Sequence, residues 1–145
     1  MKKEAPKYYH SKYPLLAGST IDEITPKARK LYNALDKQTG RRMTYIRSAY
    51  FNNDKIFLQL FWEHLHQKQH SDRARRLKFY QCALDLIRNT RFDPDFKDKA
   101  VKGRVTYYRY YGKAKSGESF IVQIYKDKRG NKYFLSCFPE REKSI

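Results

Sequence analysis
Apolar positions recur at helical spacing through the first part of the chain and at strand spacing through the last. Ala28, Leu31 and Leu35 lie three or four residues apart, the spacing of one helix face. Thr25-Pro26 offers an N-cap with proline at the first helical position, and Gly40 offers a stop. Thr20 and Glu23 form a capping-box pair for one short turn ahead of that helix. Residues 43–50, MTYIRSAY, predict a strand. Asn52-Asn53-Asp54 then predicts a second helix start, leading into IFLQLFWEHLHQKQH, whose first few residues also suit an extended chain. Phe57, Phe61 and Leu65 share its apolar stripe. Ser71-Asp72 interrupts the pattern before a third helix over 73–89, faced by Leu77, Tyr80, Leu84 and Ile87.

The texture changes after residue 90. Asp93-Pro94-Asp95 is a turn signal. RVTYYRYYGK, ESFIVQIYKD and KYFLSCF then alternate with turns across 112–117 and 126–131, the pattern of an antiparallel meander. In the middle segment Phe120, Val122 and Ile124 point one way, and Ile121, Gln123 and Tyr125 the other. Both faces are apolar or aromatic, so one is expected to carry helices and the other a ligand surface. The predicted class is α+β, with N-terminal helices packed on a C-terminal antiparallel meander of three to four strands. Residues 1–18 read as an irregular basic arm. Residues 19–145 read as one domain, helical over about 19–90 and β over about 101–140.

Charge narrows the function. The chain has 32 Lys and Arg against 15 Asp and Glu, a net charge of +17, together with 13 Tyr and 9 Phe. Such an excess repels itself and needs a reason outside folding, of which a polyanion is the usual one and solubility the plainer one, and interleaved rings suit nucleic acid. Between 101 and 132 there are nine basic residues, among them Lys102, and two acidic ones. RNA or DNA is the expected partner, with a cognate inhibitor protein as a further candidate. No apolar run is long enough to span a bilayer, and the first residues lack the apolar stretch of a secretion signal. Cys82 and Cys137 form no metal or disulfide framework and read as buried thiols of a reducing cytoplasm.

Three of the four histidines fall within residues 62–70. His66 and His70 have a two-histidine metal spacing but lack the intervening glutamate, and Lys68 between them opposes a cation, so no metal site is assigned. His64 and Lys68 are four apart, which suits a proton carrier beside an anion-binding cation. Arg73, Arg75 and Arg76 crowd the first turn of the predicted third helix, where the dipole disfavours cations, which suggests phosphate binding. On the first meander strand Arg109 shares a face with Tyr107, while Arg104 and Tyr108 share the other. Arginine can clamp a phosphate, tyrosine can stack on a base or pass a proton, and Ser136 can donate to a phosphate oxygen. Lys113 and Lys115 add charge in the following turn. No phosphate-binding loop, dinucleotide glycine pattern or zinc-finger spacing is present, so no cofactor is expected.

The order of these pieces resembles the small RNase superfamily of barnase, EndoU, colicin D and RelE, in its phage-associated branch. The resemblance rests on ALDLIRNTRFDPDF, RVTYYRYY, SFIVQIYKD and YFLSCF, and on the string from His64 to Lys68. Gln69 stands where the branch carries its second histidine, with His70 one place later. The resemblance covers about 43–140 and implies metal-independent RNA cleavage, toxin-like or phage-borne, through 2′-hydroxyl attack. In that reading His64 does acid–base work, and Arg109 and Lys68 stabilise charge. Ser136 orients a phosphate oxygen, and Tyr107 stacks or relays a proton. The competing readings are a non-catalytic RNA- or DNA-binding module or regulator, and an adaptor for an acidic protein.

Overall fold
The computed structural model describes residues 5–40, 43–100 and 104–141, with backbone alone for 96–100 and 104. Residues 1–4 of the arm, and 101–103 with Lys102, lie outside them. Among the described residues the chain is α+β, with four helices and a seven-stranded mixed sheet. None of these helices is long and apolar enough to cross a membrane.

Helix α1 (Ile21–Thr39) begins earlier than Thr25-Pro26. Thr20 is its N-cap, accepting from the Glu23 N–H at 3.3 Å while its hydroxyl donates to the Glu23 carboxylate at 3.2 Å. This cap and the first-turn acids Asp22 and Glu23 outweigh Pro26, which lies inside the helix and removes only one backbone donor. Ile24, Ala28, Tyr32 and Leu35 form its buried stripe.

Strands β2 (Tyr45–Ser48) and β3 (Asp54–Phe57) make a hairpin. Asn52 and Asn53 have φ of 59° and 66°, so they turn the hairpin instead of starting a helix. Asparagine is among the few non-glycine residues that tolerate this left-handed region. Helices α2 (Gln59–His66), α3 (His70–Leu77) and α4 (Tyr80–Asn89) follow. The single helix predicted over 73–89 is therefore broken at Lys78-Phe79. The break lets both Leu77 and Phe79 enter the core, where Phe79 stacks on Phe120 at 5.3 Å.

The predicted meander is present as β4 (Asp95–Ala100), β5 (Arg104–Lys113), β6 (Ser119–Lys126) and β7 (Lys132–Pro139). It is only the middle of the sheet, however. β3 pairs parallel to β7 through Ile56↔Lys132 and Phe57↔Tyr133, carrying β2 with it. On the other side β1 (Tyr9–His10) pairs parallel to the end of β5. A three- to four-stranded antiparallel sheet is thus corrected to a larger mixed one.

The arm is also not merely irregular. Beyond β1, the Ser11 hydroxyl and Lys12 N–H donate to the buried Asp85 carboxylate at 2.9 and 3.2 Å, and Asn89 donates to its other oxygen at 2.9 Å. The Cys82 thiol donates to the Tyr13 carbonyl at 3.2 Å, and burial pushes it up to about 11. The arm is a strap held on α4.

One face of the sheet is packed. Phe120, Val122, Ile124, Phe134 and Cys137 are buried there, and Phe61 of α2 stacks on Phe134 at 4.6 Å. Gly112 is required at this contact, because a Cβ there would stand 2.8 Å from Leu86 of α4 and 2.6 Å from the Phe120 ring.

Candidate functional site
The opposite face of the sheet carries a polar row. Arg109 on β5 stands opposite Gln123 on β6, and Gln123 stands opposite Ser136 on β7. With its amide oxygen turned toward the guanidinium, Gln123 accepts from Arg109 Nε at 3.0 Å and Nη2 at 3.2 Å. Next to this pair β7 carries a bulge, since Gln123 meets Ser136 but Ile124 meets Phe134, leaving Leu135 as the extra residue. Bulges re-aim side chains, and this one sets Ser136 in line with Gln123 and Arg109.

α3 extends the row. β3 pairs only with Lys132 and Tyr133, so α2 and α3 meet β7 beyond that point. From α3, Arg76 Nη1 donates to Ser136 Oγ at 3.0 Å, and its guanidinium carbon lies 5.2 Å from the Phe138 ring centre. Asp72 accepts from Arg76 Nε at 3.1 Å and from Arg75 at 2.7 Å. These two arginines sit in the last turn of α3, where the dipole favours cations. The predicted placement in a first turn is corrected by the earlier helix start at His70.

His64, half-buried on α2, lies within reach of the Arg76 charge. Burial first, then the charges of Lys68 and Arg76, hold its imidazole below the usual histidine range. That shift favours the uncharged imidazole, the form that accepts a proton. His66 ends α2 and His70 opens α3, so the predicted i, i+4 pairing on one helix does not occur. Among the described residues no group of three or more His, Cys, Asp or Glu is arranged to hold a metal ion.

Arg109, Gln123 and Ser136 are register neighbours and Arg76 bonds Ser136, whereas Lys68, just past the end of α2, and Arg76 reach His64 only through their charge. Tyr107 lies two residues along β5 on the same face as Arg109. Other predicted residues lie elsewhere. Arg73 donates to the Lys68 and His66 carbonyls at 2.7 and 2.6 Å, capping the end of α2, which gives that cation a structural use. Tyr108 is on the helix side, 5.1 Å from the Phe51 ring with Lys126 above it. Lys113 lies over the Tyr8 ring at 5.3 Å, and Lys115 is exposed in the β5–β6 turn, where its N–H donates to Tyr13 of the strap. Arg104 opens β5 opposite Ala100. The sequence reading missed Gln123, Asp72 and Phe138. Gln123 had a usable signal, being the one amide within the otherwise apolar and aromatic FIVQIY. A comparison of the chain with family models, curated proteins and solved structures returns no match.

Proposed function
We propose that this row is the active site of a metal-independent endoribonuclease acting through 2′-hydroxyl attack. The observation that carries the reading is the cross-strand row Arg109–Gln123–Ser136, with Arg76 bonded to Ser136 and the half-buried His64 within reach of the Arg76 charge. In the reaction His64 takes the proton of the 2′-hydroxyl. The freed oxygen attacks the adjacent phosphorus, and the bond from phosphorus to the 5′-oxygen breaks. Tyr107, two residues from Arg109 on one strand face, supplies the proton to the leaving oxygen. The products are a 2′,3′-cyclic phosphate and a 5′-hydroxyl, and the protein is restored when His64 releases its proton to solvent and Tyr107 takes one back. Arg109, Arg76 and Lys68 stabilise the crowded phosphorus oxygens, and the buried Ser136 positions Arg76 by accepting its hydrogen bond. The net charge of +17 draws the polyanion to the face.

The test is incubation with total RNA in EDTA, followed by end-group analysis. Fragments ending in 2′,3′-cyclic phosphate are expected, and intact RNA overturns the reading. A second reading, RNA binding without cleavage, is favoured by one observation. Among the described residues no carboxylate or carbonyl accepts a hydrogen bond from the His64 ring, so the orienting partner usual for a catalytic histidine is not in place. Intact RNA with a salt-sensitive gel shift would establish that reading.

A further inference from the structure
A second row crosses the same open face, and none of the cleavage steps uses most of it. Tyr45, Phe57, Tyr133, Tyr125 and Tyr107 are mutual neighbours in register across β2, β3, β7, β6 and β5. Their successive ring centres are 6.3, 5.8, 6.0 and 5.3 Å apart. All five rings are half-buried, each leaving part of its surface open. Aromatics of a folding core would be covered, as Phe61 and Phe134 are on the other face.

Cations border the ladder at its Tyr45 end and along one side. Lys55 and the exposed Arg47 lie over Tyr45 at 4.7 and 5.5 Å. Along the side of the ladder, beside Tyr125 and Tyr133, a hollow of about 430 Å³ is lined also by Val105, Asn131, Lys128 and Arg129. The acid in this turn, Asp127, is occupied, accepting from the backbone N–H of Arg129 and Asn131 at 3.0 and 2.9 Å and from the Tyr133 hydroxyl at 3.3 Å. Lys128 and Arg129 therefore present their charge outward. The Tyr125 and Tyr133 hydroxyls are shifted upward, chiefly by burial, so they add no anion to repel phosphates.

We propose that this ladder is a stacking platform for single-stranded nucleic acid, with bases on the rings and phosphates on the bordering cations. Rings on a sheet can accept any base, because every base has a flat face, while the cations track the backbone. A duplex hides its bases within the stack and cannot use such rings. The ladder spans roughly 20 Å at about 4.8 Å per strand step. A site of about four nucleotides is expected, the lower end of the range for single-sheet platforms. The inference deepens the nuclease reading, since the ladder lies beside the polar row and would feed a strand across it. It depends on that reading only for the choice of RNA as the natural ligand.

The experiment measures fluorescence anisotropy with fluorescein-labelled oligodeoxynucleotides, which lack the 2′-hydroxyl and cannot be cleaved by the proposed route. Six-nucleotide oligo-dA should bind about 10-fold or more tightly than an abasic strand of equal length, and more tightly than a hairpin duplex. Tyr125→Ala and Tyr133→Ala should each lower oligo-dA affinity about 10-fold and leave the abasic affinity unchanged. Equal binding of oligo-dA and the abasic strand by the native protein overturns the proposal without recourse to any variant. A dimer in sedimentation that Tyr125→Ala dissolves would also overturn it, by giving the ladder to a second copy of the chain. RNA cleavage without base-dependent binding would refute the platform and keep the nuclease. Base-dependent binding without cleavage would do the reverse.

Discussion
The two faces of one sheet are built from alternate residues of the same strands, yet they differ in almost everything. On β6, Phe120, Val122 and Ile124 are sealed under helices, while Gln123 and Tyr125 line the open side. On β5, Tyr110 is buried and its neighbour Arg109 is exposed. The packed face is stabilised by area removed from water, and its central rings, such as Phe61 and Phe134, are sealed from solvent. The open face keeps rings and charges together, at the cost of apolar surface left wet. Aromatic residues alone do not distinguish these roles. The polar residues interleaved with them do.

The largest expected effect probes the packed side. Phe134→Ala should cost about 3–5 kcal/mol of stability, read by urea unfolding followed by circular dichroism. Tyr125→Ala on the open side should cost about 1 kcal/mol, the scale of a cross-strand pair. Similar losses for both would erase the contrast between the faces. Next in size, His64→Ala and Arg109→Ala should each lower RNA cleavage about 100-fold or more with the dichroism spectrum unchanged. Cleavage that survives both substitutions would place the reaction elsewhere. Gly112→Ala should destabilise by about 1–3 kcal/mol, because Phe120 and Leu86 must give way to the new methyl group. An unchanged urea midpoint would mean that α4 can lift from the sheet freely.

The smallest effect is on titration. His64 is held low by burial and by Lys68 and Arg76, so the acid limb of cleavage should lie below the value of about 6.5 for a free histidine. Lys68→Ala should move that limb, and the His64 shift seen by NMR, upward. The stability linkage has a fixed sign. The unfolded chain takes the proton first as pH falls through about 6.5, so this group lowers stability progressively until the folded form is protonated as well. A His64 titration above 6.5 in the native protein would contradict the proximity of those cations.

The meander and the two faces of β6 were legible because strand alternation is a local signal of period two. The pairing of Arg109 with Tyr107 on one side followed from the same count. What stayed hidden depends on contacts between distant segments. β3 is four residues and β1 two, too short to announce themselves before their partners on β7 and β5 are known. Asn52-Asn53 resembled a helix start because asparagine serves both as an N-cap and in left-handed turns. Ser136 was picked out by type, but its alignment with Gln123 depends on a bulge that no sequence pattern marks. The aromatic ladder was invisible for a related reason, since its members come from five strands whose order differs from their sequence.

That order has a consequence for assembly. β7 comes last among the seven strands along the chain but lies between β6 and β3 in space. Until residues 132–139 are available, the β2–β3 hairpin has no neighbour on its inner side, and neither row can cross the sheet. Removing that stretch would split the molecule down its middle instead of trimming a margin, so the polar row and the aromatic ladder should emerge together, late, in a single cooperative step.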